Sequence, residues 1–269
     1  MTHRTRRPLA AAITTVALAA TLLLAGCSGG SSSAQGDAPA QGRIVALLVD
    51  QTCDATPELT ALAGDAFTKS VDAAALDRGT FLGEAITTDA YQSGTFGVSH
   101  SFTSDKKNDR GVERDLARQA RDFAASTQAQ SLTKGYVPDT DCGSDLINAL
   151  SAADRAFKDE PGHEGRARDL VFVTNGIVID DDAGLNFVED DLTTAYAQKV
   201  IRRQKDKDLF PDFSGVSVHL VGLGVSDQNV TAAKVRQLES FWEQLATAAG
   251  ATDVATVRSA NQLAIGGDQ

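Results

Sequence analysis

Asp50-Gln51-Thr52-Cys53-Asp54 places an acid, a hydroxyl and a second acid at alternate positions. These are hard oxygen donors, and oxygens gathered this closely suit a cation such as Mg²⁺. Two later stretches carry side chains of the same kind. Cys142-Gly143-Ser144-Asp145 offers a hydroxyl and an acid, and Thr174-Asn175-Gly176 offers a hydroxyl and an amide. The chemistry this set suggests is binding rather than bond breaking. No histidine pair flanks a glutamate at helical spacing, and neither a G-x-S-x-G elbow nor a Walker loop is present. Gly222-Leu223-Gly224 lacks the third glycine of a dinucleotide fingerprint and fits a tight turn. Asp50 as a phosphatase nucleophile is a weaker alternative, because Thr52 stands where such enzymes carry a second acid.

The elements that must position these residues read as an alternation of strands and helices. Ile44-Val45-Ala46-Leu47-Leu48-Val49 is an unbroken apolar run, which predicts a strand buried on both faces. Asp169 to Val173 and Val216 to Val221 read the same way. Phe81–Thr88 and Thr252–Val257 are further strands, and Thr95–Phe102 alternates enough for a half-exposed, antiparallel edge. Helices are predicted over Glu58–Leu76, Val112–Leu132, Ser144–Phe157, Leu192–Gln204 and Thr231–Ala249. Pro57 suits the first turn of the first of these. The resulting expectation is an α/β fold: a doubly wound, mostly parallel sheet with one antiparallel edge strand and helices on both faces. Right-handed crossovers then bring the polar strand ends to one edge. His219, inside a buried strand, reads as a satisfied core residue, and Asp180-Asp181-Asp182 as a solvated loop.

The amino-terminal segment has a different character. Arg4, Arg6 and Arg7 precede an apolar stretch from Leu9 to Leu24, too short for a comfortable bilayer span. Leu24-Ala25-Gly26-Cys27 resembles the bacterial lipoprotein box. That resemblance implies a signal peptide over residues 1–26, lipidation of Cys27, and a cell-membrane location on the extracytoplasmic face. The route of export, general or twin-arginine, stays open. Residues 27–42 are rich in Gly, Ser, Ala and Gln and read as a flexible tether. Residues 43–269 form the domain.

The formal net charge is −11, and removing residues 1–26 takes away three arginines and no acid, giving −14. This sign argues against nucleic acid as a partner, since phosphate binding needs clustered Lys and Arg. Cys53 and Cys142 remain after Cys27, an even pair in an oxidising compartment, which suggests a disulfide, with two free thiols as the rival.

The order of these segments resembles the von Willebrand factor type A fold with a metal-ion-dependent adhesion site. Asp50-Gln51-Thr52-Cys53-Asp54 stands for its first loop, Gly143-Ser144-Asp145-Leu146-Ile147-Asn148-Ala149-Leu150 for its second and Val173-Thr174-Asn175-Gly176 for its third. The likeness continues through Val218–Gly224, Phe241-Trp242 and Ala248–Ala251. It implies a Mg²⁺ site at Asp50, Thr52, Asp54, Ser144 and Asn175, with one carboxylate gained at Asp54 and one lost at Asn175 relative to the family. It also implies that Cys53 and Cys142 lie close enough to bridge. The implied function is attachment to a protein or cell-envelope ligand whose own acid completes the metal shell. A metal-free envelope scaffold is the alternative.

Overall fold

The computed structural model describes residues 42–52, 56–86, 96–134, 145–180, 184–225 and 230–266. Strand β1 (Ile44–Asp50) leads through helix α1 (Pro57–Leu76) to β2 (Thr80–Ile86) and β3 (Val98–Ser101). Helix α2 (Asp109–Ala124), the short α3 (Thr127–Gln130) and a 3-10 turn at Ser131–Thr133 follow. Helix α4 (Leu146–Asp159) precedes β4 (Arg168–Val173). A two-stranded ribbon, β5 (Ile179–Asp180) with β6 (Leu185–Asn186), leads to α5 (Thr194–Asp206). The chain closes with β7 (Val216–Val221), α6 (Ala232–Ala248) and β8 (Asp253–Val257).

The main sheet runs β3-β2-β1-β4-β7-β8, parallel throughout except for β3, which pairs antiparallel with β2 at the edge. The α/β expectation therefore holds, including its antiparallel edge strand. The apolar run of β1 is explained by what lies on its two sides. Ile44, Ala46 and Leu48 face a core shared with α4, α5 and α6. Val45, Leu47 and Val49 face a second core built with α1 and α2. Every residue of β1 is buried. A strand in the centre of a doubly covered sheet has no solvent face, so it shows no polar alternation.

Local chemistry sets the helix ends. Thr56 accepts a hydrogen bond from the Leu59 amide at 3.1 Å, and Pro57 occupies the first turn of α1, where no amide donor is needed. The single helix predicted over Val112–Leu132 is divided instead. It begins earlier, at Asp109, capped by Asn108, whose Oδ1 accepts from the Gly111 amide at 2.8 Å. It ends at Ala124, because Ser126 takes an extended backbone and caps the next turn by accepting from the Ala129 amide. This break carries Leu132 back onto the sheet, where it fills the space above Gly83. Helical periodicity continues across the break, which is why the sequence reads as one helix.

The strand order has a structural consequence. Counting only main-sheet strands in chain order, it is 3-2-1-4-5-6, so the winding reverses between β1 and β4. Crossovers from these two strands leave toward opposite sides, the topology in which open α/β sheets take ligands at the carboxyl ends of their strands.

Candidate functional site

Asp50 is the last residue of β1 and Thr174 is the first residue past β4. Val49 pairs with Val173, so the two side chains stand abreast at the reversal point. Asp50 is 3% exposed and Thr174 is fully buried. Asp50 Oδ1 accepts from the Thr52 hydroxyl at 2.7 Å and the Thr52 amide at 3.1 Å. Asp50 Oδ2 accepts from the Thr174 hydroxyl at 2.8 Å. Thr174 Oγ1 in turn accepts from the Gly176 amide at 2.9 Å. A buried carboxylate is held in place here by short donors from two strands, the arrangement that keeps a buried charge tolerable.

Asn175 is 1% exposed. Its Oδ1 accepts from the Ile177 amide at 2.8 Å, and its backbone oxygen accepts from the Gly224 amide at 2.8 Å. Its Nδ2 is buried without a partner. Gly176 has φ +77°, and a Cβ there would lie 2.6 Å from Leu223 Cδ2 and 2.8 Å from Trp242 Nε1. The glycine is required on both counts. Trp242 Nε1 donates to the Gly176 carbonyl at 3.0 Å, tying this turn to α6. Gln51 fastens the other side: its amide donates to the Ile86 carbonyl, and its Nε2 donates to the Ser131 carbonyl at 2.9 Å.

The residues assigned to a cation divide into two groups. Asp50, Thr52 and Asn175 lie at the carboxyl ends of β1 and β4, as expected. Asp54, Ser144, Cys53 and Cys142 lie outside the described residues, as do Cys27 and the signal and tether over residues 1–41. Asp181 and Asp182 also lie outside them, whereas Asp180 is half-buried in β5. Thr174 stands in the third motif but is not among the ligands that the resemblance implies. Its role follows from strand register, which places it beside Asp50. Among the described residues no group of three or more His, Cys, Asp or Glu is placed to hold a metal, so hydroxyl and amide oxygens would have to contribute.

The opposite, amino-terminal end of the sheet carries a separate polar cluster. Asp169 accepts from Arg43 Nη1 and lies 3.0 Å from His219 Nε2. His219 is thus a satisfied core residue, as its sequence context suggests. Burial works against the Arg43 charge, but hydrogen bonds to Asp77 and Asp169 outweigh it and raise its pKa. At the antiparallel edge, burial raises the Glu84 pKa, partly offset by the Gly97 amide that donates to it. Burial lowers that of His100, which stacks on Phe123 with ring centroids 4.7 Å apart. No helix among the described residues is long and apolar enough to cross a membrane.

No family model matches the chain, and no curated protein matches it. Among solved structures it is similar to the pilus adhesin SpaC from Lactobacillus rhamnosus GG in its open conformation, at 13% identity and a TM-score of 0.40. The match covers 82% of this chain and 28% of that one, so the chain spans less than a third of the adhesin's length.

Proposed function

We propose that this protein is a non-catalytic binding module. It takes a protein or cell-envelope ligand at the crevice where Asp50, Thr52, Thr174 and Asn175 meet. The observation that carries this reading is the buried, hydrogen-bonded Asp50 carboxylate at the reversal of strand order, where open α/β sheets hold their ligands. The cation belonging to this reading is Mg²⁺, held by oxygens of Asp50 and Thr52 with Asp54, Ser144 and Asn175. The Thr52 hydroxyl donates its hydrogen bond to Asp50, which leaves its oxygen lone pairs to ligate. Asn175 can contribute only through Oδ1, which already accepts from Ile177, because its Nδ2 is a donor. An acid on the partner would complete the shell in place of a water. Lipidation at Cys27 would hold the module on the extracytoplasmic face of the membrane.

A metal-free scaffold is the second reading. It is favoured by the fact that Thr52 and Thr174 already supply donors to both Asp50 oxygens. Titrating Mg²⁺ or Mn²⁺ into the protein separates the two, read by calorimetry and by the emission of Trp242, the sole tryptophan. Heat and an emission change that vanish in Asp50→Asn, with the fold retained by circular dichroism, support the cation site. Silence in the wild type leaves the scaffold. Hydrolysis of a phosphomonoester that Asp50→Asn abolishes would overturn the non-catalytic assignment. Membrane association lost in Cys27→Ser is the result expected for the anchor.

A further inference from the structure

Over residues 194–208 five cations, Lys199, Arg202, Arg203, Lys205 and Lys207, stand against two acids, Asp206 and Asp208. This stretch is helix α5 with its carboxyl cap, in a chain whose formal net charge is −11. The helix buries Ala197, Val200, Ile201 and Gln204, whereas Lys199, Arg202, Lys205 and Lys207 are exposed. Arg203 lines a cavity with Asp145 and Asp180, so the outward set is the other four. Among the described residues none of these four forms an ion pair. Asp190 and Asp191, near the helix start, are engaged by Tyr196 and Gln237. The helix dipole accounts for cations in the last turn only, and Lys199 stands in mid-helix. Helix α2, also highly charged, matches Arg110, Arg114, Arg118 and Arg121 with Asp109, Glu113, Asp115 and Asp122. It packs on the opposite face of the sheet.

We propose that this basic face of α5 docks on the anionic headgroups of the bilayer that carries the chain. The inference rests on lipidation of Cys27, because an acidic domain without an anchor is repelled from such a surface. The lipid supplies attachment and α5 selects the face. An acyl anchor joined to a polybasic patch is a combination that holds a protein on a membrane. The point of entry fits. Ile44, Arg168 and Val216 lie abreast at the amino end of the sheet. Gly42 precedes the first of them. Lys207 leads toward the last through Ser214, whose carbonyl accepts from Arg168 Nη2 at 2.6 Å. Helix α5 therefore ends at the end of the sheet where the chain enters the domain. A flexible chain the length of residues 28–41 spans about 20 Å, which leaves that end within reach of the headgroups. The carboxyl ends of β1 and β4, with Asp50, lie at the opposite end and then face away from the lipid.

The test reconstitutes the full lipidated chain in vesicles of phosphatidylcholine, or of an equal mixture of phosphatidylcholine and phosphatidylglycerol. Lysines are acetylated with an uncharged reagent and read by mass spectrometry, with exposed Lys107, just before α2, as the internal reference. Acetylation of Lys199, Lys205 and Lys207 should slow several-fold on the mixed vesicles, with Lys107 unchanged. The difference should vanish at about 1 M salt, where the Debye length is about 3 Å. Each cation near an anionic surface is worth about fivefold in partition. Lys199→Gln with Arg202→Gln and Lys205→Gln should therefore abolish the protection of Lys207, whereas Arg110→Gln with Arg114→Gln should leave it intact. The docking is overturned if the mixed vesicles protect no α5 lysine, if they protect Lys107 equally, or if the α2 variant loses protection as the α5 variant does. It is overturned too if soluble polyphosphate protects the α5 lysines on neutral vesicles and the anionic bilayer does not, which would assign the face to a free polyanion. A chain that fails to float with neutral vesicles refutes lipidation at Cys27, and the docking with it. One that floats without α5 protection refutes the docking alone.

Discussion

The Thr174 hydroxyl donates to the Asp50 carboxylate at 2.8 Å, joining residues 124 positions apart in the chain. The same oxygen accepts from the Gly176 amide, so one hydroxyl orders the acid and the turn beside it. Thr174→Val keeps the shape and deletes both bonds. Leaving buried partners with one bond fewer costs roughly 1–3 kcal/mol. Thr174→Ser, which keeps the oxygen, should recover most of that loss. Denaturant unfolding of the two variants checks this, and equal stability of Val and Ser would show that the hydroxyl does not bear on folding.

Gly176→Ala places a methyl group against Leu223 and the Trp242 indole at a positive φ. Overpacking of this kind costs about 1–3 kcal/mol, with a backbone penalty added. The expected outcome is a lowered Tm together with altered Trp242 emission in the folded state, since the turn's carbonyl is the indole's acceptor. An unchanged spectrum with a lowered Tm would detach the tryptophan from this turn.

Glu84 titrates above its ordinary value of 4.5 because it is half-buried, so the folded state binds a proton more readily than the unfolded chain. Its contribution to stability is full below 4.5 and is lost as pH rises through the folded pKa. At neutral pH the ionised group is a burden. Glu84→Gln keeps an acceptor for the Gly97 amide and removes the charge. Its Tm should exceed the wild type's at neutral pH, and the advantage should shrink toward about pH 4.

His100 has the opposite sign. Its pKa lies below the usual 6.5 because the ring is half-buried, and its Nε2 is buried with no hydrogen-bond partner. The unfolded chain therefore binds the proton better. Stability is full above 6.5 and is lost as pH falls through the folded value. His100→Phe extends the ring cluster with Phe102 and Phe123 and has nothing to titrate. Melting curves taken below pH 6.5 should separate it from the wild type, with the variant flatter.

Much of the architecture was readable in the residues themselves. An apolar run with no alternation, as in Ile44–Val49, specifies a strand covered on both faces, and the moderate alternation around Val98 specifies the edge. Both follow from side-chain periodicity, which is local. So does the tendency of polar strand ends to gather on one edge, once handed crossovers are granted. The position of Asp50, Thr52 and Asn175 at that edge was legible for that reason.

Tertiary structure decided the rest. Ser126 interrupts an apolar stripe that is continuous in the sequence, because its capping bond outweighs helical continuity at that point. Thr174 meets Asp50 only because β1 and β4 pair in one register, and Asp169 meets His219 only because β4 and β7 do. Asn148 of α4 and Gln204 of α5 line one cavity only because the two elements are brought together in the fold. A sequence carries the period and polarity of each element, whereas contacts between distant side chains depend on register, crossing and packing, which form only when the whole chain is assembled.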